Sequence, residues 1–278
     1  MDQATQVKYA ETLRRLHHTD AVLLLPNAWD AGSAALFAHC GFGAIATTSG
    51  GVAWALGHQD GEQVPLQDVL SVVRRITHTV ALPVTVDFES GYGTEPAQVA
   101  DAVRALIATG AVGVNLEDGM PGHGPQRSVR ESAERIRAAR QAAAQAGIPL
   151  VINARIDNWM HAVDVPSAPL ADALARAAAY RAAGADCLYP IGLGDKATIA
   201  AFARAAGMPV NVMAGAGGMD LAELHRIGVA RVSTATRFAT LALGAMRQVA
   251  QQILLSGSFD ALAGDFSYKD AQQLFEAG

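Results

Sequence analysis

Two carboxylates two residues apart close an apolar run in Val84-Thr85-Val86-Asp87-Phe88-Glu89-Ser90-Gly91-Tyr92-Gly93. On a continuing strand, Asp87 and Glu89 share one face. A second apolar run, Val112-Gly113-Val114-Asn115-Leu116-Glu117-Asp118, ends on more acid one α/β unit later. Three carboxylates, Asp87, Glu89 and Glu117, therefore converge if the two strands are neighbours. Oxygen-only ligands suit a hard divalent cation, Mg²⁺ or alternatively Mn²⁺. The competing reading is that each acid caps the helix after its strand, where negative charge is favoured.

Other strand ends carry further candidates. Ser49-Gly50-Gly51 lets backbone N–H groups approach an anion, or is a plain turn into a helix. The Gly-punctuated stretch Ala55 to Glu62 reads as a loop over the mouth of the fold, with Asp60 on it. Arg155, in Ile152-Asn153-Ala154-Arg155-Ile156-Asp157, offers a bidentate fork to a substrate carboxylate, unless Asp157 is its partner. The Gly-rich segment Gly119 to Gly124 reads as a gate that excludes water, and His123 on it is a candidate acid or base. Tyr92 either packs the mouth or meets a ligand.

Positioning these groups needs a frame, and the apolar pattern supplies one. Eight runs have strand length: Val22 to Pro26, Ala44 to Thr48, Val84 to Phe88, Val112 to Leu116, Leu150 to Ala154, Cys187 to Ile191, Val210 to Met213 and Arg231 to Thr234. Helical patterns such as Gln98 to Leu106 and Leu170 to Ala183 separate them. Pro leads into the third, fifth and seventh runs (Pro83, Pro149, Pro209), and Gly precedes the second, fourth, sixth and eighth (Gly41, Gly110, Gly184, Gly228). This repeat predicts an α/β fold, a closed parallel (β/α)8 barrel. An open doubly wound sheet is the alternative, but Leu25-Pro26-Asn27-Ala28-Trp29-Asp30 is no phosphate loop. Polar residues collect at the strand ends where barrels place their active sites: Asn27, Asp30, Thr48, Asn153, Asn211, Ser233 and Thr234, besides those above.

Composition bounds the rest. The chain has 278 residues, 51% of them hydrophobic, and a net charge of −5. We expect one barrel domain over 1–278, with a C-terminal helical extension from about Arg237. With Lys and Arg scattered singly, no basic stripe predicts nucleic-acid binding. No apolar stretch suggests a membrane span or leader, so a cytoplasmic protein is expected. Cys40 and Cys187 lack metal or disulfide spacing and read as small buried hydrophobes. The pattern from Arg237 to Leu255 is apolar over much of its surface, which suggests burial against another subunit.

Taken together, T-T-S-G-G, L-G-x-x-D, D-x-E-x-G-Y-G, L-E-D, N-A-R-x-D and P-V-N-V resemble the isocitrate lyase and phosphoenolpyruvate mutase superfamily, from about Leu23 to about Ala245. The resemblance implies (β/α)8 barrels that bind Mg²⁺ and act on 2-oxo or 2-hydroxy carboxylates through a pyruvate enolate-like species. It also implies tetramers or dimers that exchange their last barrel helix. By position, Asp87 resembles the direct metal ligand. Glu89 and Glu117 resemble acids that hold the metal directly or through water. Ser49, Gly50 and Gly51 resemble the substrate cradle, Arg155 the carboxylate-binding arginine, Asp60 the loop acid at the reacting group, and Asn211 a substrate-contacting Asn. Departures narrow the reaction. The lyase branch's K-[KR]-C-G-H segment is here Glu117 to Pro125 without a Cys, the usual second Asp is Glu89, and N-x-T-E is Asn211-Val212-Met213-Ala214. The resemblance thus implies a metal-dependent carbon–carbon lyase or decarboxylase for a small 2-oxo or 2-hydroxy dicarboxylate. Its alternatives are a phosphonopyruvate P–C mutase or hydrolase, and a non-catalytic Mg²⁺-dependent 2-oxo acid binding protein.

Overall fold

In the computed structural model, which describes residues 1–122, 124–160 and 168–276, the first predicted strand, Val22 to Pro26, is found as Leu23–Leu25, and pairing resumes beyond Pro26 in a short segment outside the predicted run. The strands are β1 (Leu23–Leu25), β2 (Asn27–Ala28), β3 (Ile45–Thr47), β4 (Val84–Asp87), β5 (Gly113–Glu117), β6 (Val151–Ile156), β7 (Cys187–Pro190), β8 (Asn211–Met213) and β9 (Arg231–Ser233). The helices are α1 (Gln3–Leu16), α2 (Ala31–His39), α3 (Ser49–Ala55), α4 (Leu66–Thr79), α5 (Pro96–Ile107), α6 (Val129–Gln145), α7 (Pro169–Ala183), α8 (Lys196–Ala206), α9 (Leu221–Arg226), α10 (Arg237–Ser256) and α11 (Tyr268–Gln273).

All strand pairs are parallel. β2 through β7 pair in chain order, a bridge from Leu188 to Val210 joins β7 to β8, and β8, β9 and β1 complete the circuit. With β1 and β2 counted as halves of one strand around Pro26, whose nitrogen has no proton to donate, eight strands form a closed (β/α)8 barrel rather than an open sheet. Asn27 stitches the break: its Nδ2 donates to the Thr47 carbonyl (2.6 Å) and its Oδ1 accepts from Thr234 N (2.9 Å). The glycines of the repeat do what their positions require. Gly184, for instance, ends α7 at φ 106°, and Gly41, Gly110 and Gly228 share that left-handed sign.

Beneath the barrel, α1 forms a floor. Leu13 is fully buried, and Gln6 Nε2 donates to the carbonyls of Ile107 (2.8 Å) and Ala111 (3.0 Å). Inside, Asn115 Oδ1 accepts from Asn153 Nδ2 (2.9 Å) and from Arg231 Nη2 (3.2 Å), so a polar layer crosses an otherwise apolar core. Two expectations change. Cys40 is exposed, because it is the C-cap residue of α2 and points outside the barrel wall, whereas Cys187 is buried. Asp30 is a helix cap: its carboxylate accepts from Ser33 N (2.7 Å) at the start of α2. Among the described residues no helix is long and apolar enough to cross a membrane. Leu13→Ala removes a buried plug far from the barrel mouth. It is expected to lower the free energy of unfolding by about 3 kcal/mol in urea titration while leaving ligand binding at the mouth unchanged.

Candidate active site at the barrel mouth

The C-terminal strand ends bring the predicted acids to one face of the barrel, but not as one ligand set. β4 ends at Asp87, which is half-buried and accepts from Ser49 N at the start of α3 (3.2 Å). Its other oxygen, Oδ1, receives no hydrogen bond among the described residues. Glu89 does not share a strand face with Asp87. Its φ of 49° ends the two-residue period, and its carboxylate turns to the segment after α3. There Oε1 accepts from Gly61 N (3.1 Å) and Glu62 N, while Oε2 accepts from the Tyr92 hydroxyl (2.8 Å). The Tyr92 ring packs on Phe88, centroid to centroid 5.0 Å. None of these acids caps a helix. α5 starts at the cap Glu95 and α6 at Ser128.

Next to them, Glu117 and Arg155 are register partners on β5 and β6. Arg155 Nη1 meets Glu117 Oε2 at 2.5 Å, and its Nε and Nη2 fork onto Asp157 at 2.7 and 2.9 Å. The bidentate face of the guanidinium is thus filled by the Arg155–Asp157 pair. Behind this pair Asp118 is buried, accepting from Asp157 N (3.0 Å), Tyr180 OH (2.7 Å), Gln126 Nε2 (3.0 Å) and Arg176 Nη1 (3.1 Å). Asp118 therefore faces the outer wall rather than the mouth.

The electrostatics follow from burial. Asp87 is held above the usual carboxylate range by burial, partly offset by Arg155, and the charge on Asp60 adds to the rise. Burial lifts Glu89 to about 7, with Asp87 and Asp60 contributing. Glu117 is pushed well up, first by burial, against the pull of Arg155 and with that of Asp157, Asp87 and Glu89. Among the described residues, no three His, Cys, Asp or Glu side chains lie together as a ready cation site.

Ser49, Gly50 and Gly51 form the first turn of α3, capped by Thr48, whose Oγ1 accepts from Gly51 N (3.4 Å). Asp60 lies over this turn, since a Cβ built on Gly50 would sit 3.1 Å from Asp60 Oδ2. Asn211 is fully buried inside the barrel, donating to Ser233 Oγ (3.2 Å), and β8 presents Met213 at the mouth instead. His123 lies outside the described residues. Sequence reasoning missed Arg237. It is exposed at the start of α10, beside Gly215, and lines a cavity of about 190 Å³ with Gly192, Met213, Ala214 and Met219. Among the described residues it has no carboxylate partner. The signal was its place in Ser233-Thr234-Ala235-Thr236-Arg237, directly after the last strand.

A family model described as phosphoenolpyruvate phosphomutase matches residues 13–254. A solved Burkholderia cenocepacia J2315 structure, assigned provisionally as a phosphonomutase, is 43% identical with a TM-score of 0.85, covering 89% of this chain and 99% of that one. The 2-methylisocitrate lyase of Escherichia coli K12 is 36% identical over 189 residues, 65% of this chain and 61% of that protein. The oxaloacetate decarboxylase of Rhodopseudomonas palustris BisA53 is 33% identical over 215 residues, 73% of this chain and 72% of that protein.

Because the Glu89 proton affinity is raised on folding, its stabilising contribution is fully present below about pH 4.5 and is lost as pH rises through about 7. Metal-free Glu89→Gln is therefore expected to lose less stability than the parent protein between about pH 5 and pH 8, by up to roughly 3 kcal/mol, in chemical denaturation across that range.

Proposed function

The chain belongs to the phosphoenolpyruvate phosphomutase family, within the isocitrate lyase and phosphoenolpyruvate mutase superfamily of lyases and mutases, and we propose that it is a Mg²⁺-dependent carbon–carbon lyase or decarboxylase acting on a small 2-oxo or 2-hydroxy dicarboxylate. The observation that carries this reading is the imbalance of charge at the mouth. Asp60 raises Asp87 and Glu89, Asp87 and Glu89 raise Glu117, and the buried guanidinium of Arg155 lies among Asp87, Glu117 and Asp157.

Asp87, Glu89 and Glu117 are not gathered as a ready cation site among the described residues, but their oxygen-only chemistry suits a hard divalent cation. Among the described residues Asp87 keeps an oxygen without a donor, Asp87 raises both glutamates, and Glu89 raises Glu117, an excess of negative charge that a hard cation relieves. Asp87 would hold the ion directly, and Glu89 and Glu117 across its waters. When bound, Mg²⁺, or Mn²⁺ in its place, supplies Lewis-acid withdrawal of electrons from the keto and carboxylate oxygens of the substrate.

The protein's own groups do the rest. Arg155 holds Glu117 and Asp157 in place through its ion pairs, and adds positive charge where the substrate's anionic end arrives. Arg237, without a carboxylate partner among the described residues, suits a second carboxylate, and the small cavity it lines suits a short acid. The Ser49-Gly50-Gly51 turn supports the substrate's oxyanion through the Gly50 amide, since Ser49 N is already given to Asp87. Asp60, above that turn, holds or moves the proton at the reacting carbon. His123, on the segment 119–124, is a further proposed acid or base. A thiol acid of the kind the lyase branch uses has no counterpart at the mouth, because Cys187 is buried in β7 and Cys40 ends α2. This favours a smaller substrate than a tricarboxylate.

The experiment is NMR detection of product from oxaloacetate, dimethylmalate-type acids, methylisocitrate and phosphonopyruvate in separate tubes with Mg²⁺. Turnover of a C₄ or C₅ acid, abolished by EDTA and by Asp60→Ala, is the expected result. Product only from phosphonopyruvate would move the reaction to P–C chemistry, and no product anywhere would leave a binding protein. Arg237→Gln is expected to raise KM about ten- to a hundred-fold with a smaller change in kcat.

We also propose that α10 is exchanged between subunits of a dimer or tetramer. It exposes Leu241, Leu254 and Leu255 at 67%, 86% and 89%, and Phe259 follows at 70%. Light scattering of the purified chain is expected to give a homo-oligomer, and a monomer at micromolar concentration would remove the proposal.

A further inference from the structure

Left-handed backbone at a non-glycine residue is unfavourable and persists where neighbouring contacts over-determine it. Two such residues meet on neighbouring segments at the barrel mouth, Glu89 at φ 49° and Glu62 at φ 63°. Each supplies a carboxylate to the other's segment. Glu89 Oε1 accepts from Gly61 N (3.1 Å) and Glu62 N, and Glu62 Oε2 accepts from Ser90 N (3.0 Å). The Tyr92 hydroxyl donates to Glu89 Oε2 (2.8 Å), which fixes the carboxylate plane.

The clamped turn then reaches a third segment. Gly61 O accepts from Gly122 N at 2.9 Å. The two glycines are packed backbone to backbone, since a Cβ on Gly61 would sit 3.0 Å from Gly122 Cα, and Gly61 at φ 101° is in a region that other residues rarely adopt. The chain of contacts is therefore Glu89 carboxylate, 60–62 turn, Gly122.

We propose that Glu89 is a positioning residue whose carboxylate clamps the 60–62 turn, and through the Gly61–Gly122 contact the backbone at Gly122, so that Asp60 stands over Gly50 before any ligand arrives. The clamp is made of protein groups alone and goes beyond the reaction proposed above. It also gives a physical role to the longer side chain at this position. An aspartate is one methylene shorter and would keep the charge but not reach the amides of Gly61 and Glu62. A glutamine keeps the reach without the charge, its carbonyl oxygen accepting from both amides and its NH₂ donating to the Tyr92 oxygen.

The test is amide hydrogen exchange of the metal-free, ligand-free protein by NMR, comparing the parent with Glu89→Asp, Glu89→Gln and Glu62→Ala. Glu89→Asp is expected to speed exchange at Gly61, Glu62 and Gly122 by about ten- to a hundred-fold, with amides of β5 and β6 unchanged. Glu89→Gln is expected to stay close to the parent at those three amides. Equal protection in Glu89→Asp and the parent overturns the proposal, as does exposure in Glu89→Gln matching that in Glu89→Asp. Should Glu89→Asp fail to fold, Glu62→Ala decides. Removing the return bond to Ser90 is expected to speed Gly122 exchange several-fold, and an unchanged Gly122 overturns the clamp. Because no cation, substrate or turnover enters this measurement, its failure leaves the proposed reaction standing, and the absence of product in the NMR panel leaves the clamp standing.

Discussion

Buried carboxylates repel one another and lose the solvation that keeps them ionised, so a barrel can gather them only around a positive charge placed among them. Here that charge is Arg155. It contacts Glu117 on the neighbouring strand and Asp157 two residues along its own chain, and all three side chains are almost wholly shielded from solvent. Removing one partner from such a buried group costs far more than forming it gains, because the remaining ions are left unpaired. The register of β5 against β6, which sets Glu117 beside Arg155, is therefore a condition for the whole mouth.

Everything behind that pair serves to hold it. Asp118 accepts the Asp157 amide and ties it to Arg176 and Tyr180 of α7, while Gln126 joins the same carboxylate from the far end of the loop after β5. The charge cluster thus rests on strands and on a helix packed against them, and precision is inherited from elements with little freedom to move. Glu89, Asp60 and Tyr92 stand on connecting segments instead. Their placement depends on hydrogen bonds between neighbouring segments at the mouth, which is where motion costs little and where access to ligand must be controlled.

The barrel interior shows the same economy at its other end. Arg231 is fully buried on β9 and meets Asn115, which also receives Asn153. A strand reading from sequence marks such residues as active-site candidates because they are polar in apolar runs. Asn211 is of this kind: it is buried and paired with Ser233, a polar layer spanning the core rather than a group offered to solvent. Polar residues within a strand and polar residues at its C-terminal end look alike in sequence, and only the depth along the barrel axis separates them.

The sequence by itself determined the eight α/β units, the punctuation by proline and glycine, and the delivery of Asp87, Glu117 and Arg155 to strand ends. These depend on local preferences: apolar runs that pair, residues that end helices, prolines that delay pairing. Tertiary structure decided what each carboxylate touches. The two-residue period that set Glu89 beside Asp87 holds only while the strand continues, and a left-handed residue ends it. Whether Arg155 takes Asp157 or leaves its fork open depends on side-chain geometry at the end of β6, and Arg237 emerged only because the fold returns the start of α10 to the mouth. Periodicity along a chain is a one-dimensional property, whereas the partner of a buried charge is chosen in three dimensions by whichever opposite charge the packing leaves within reach.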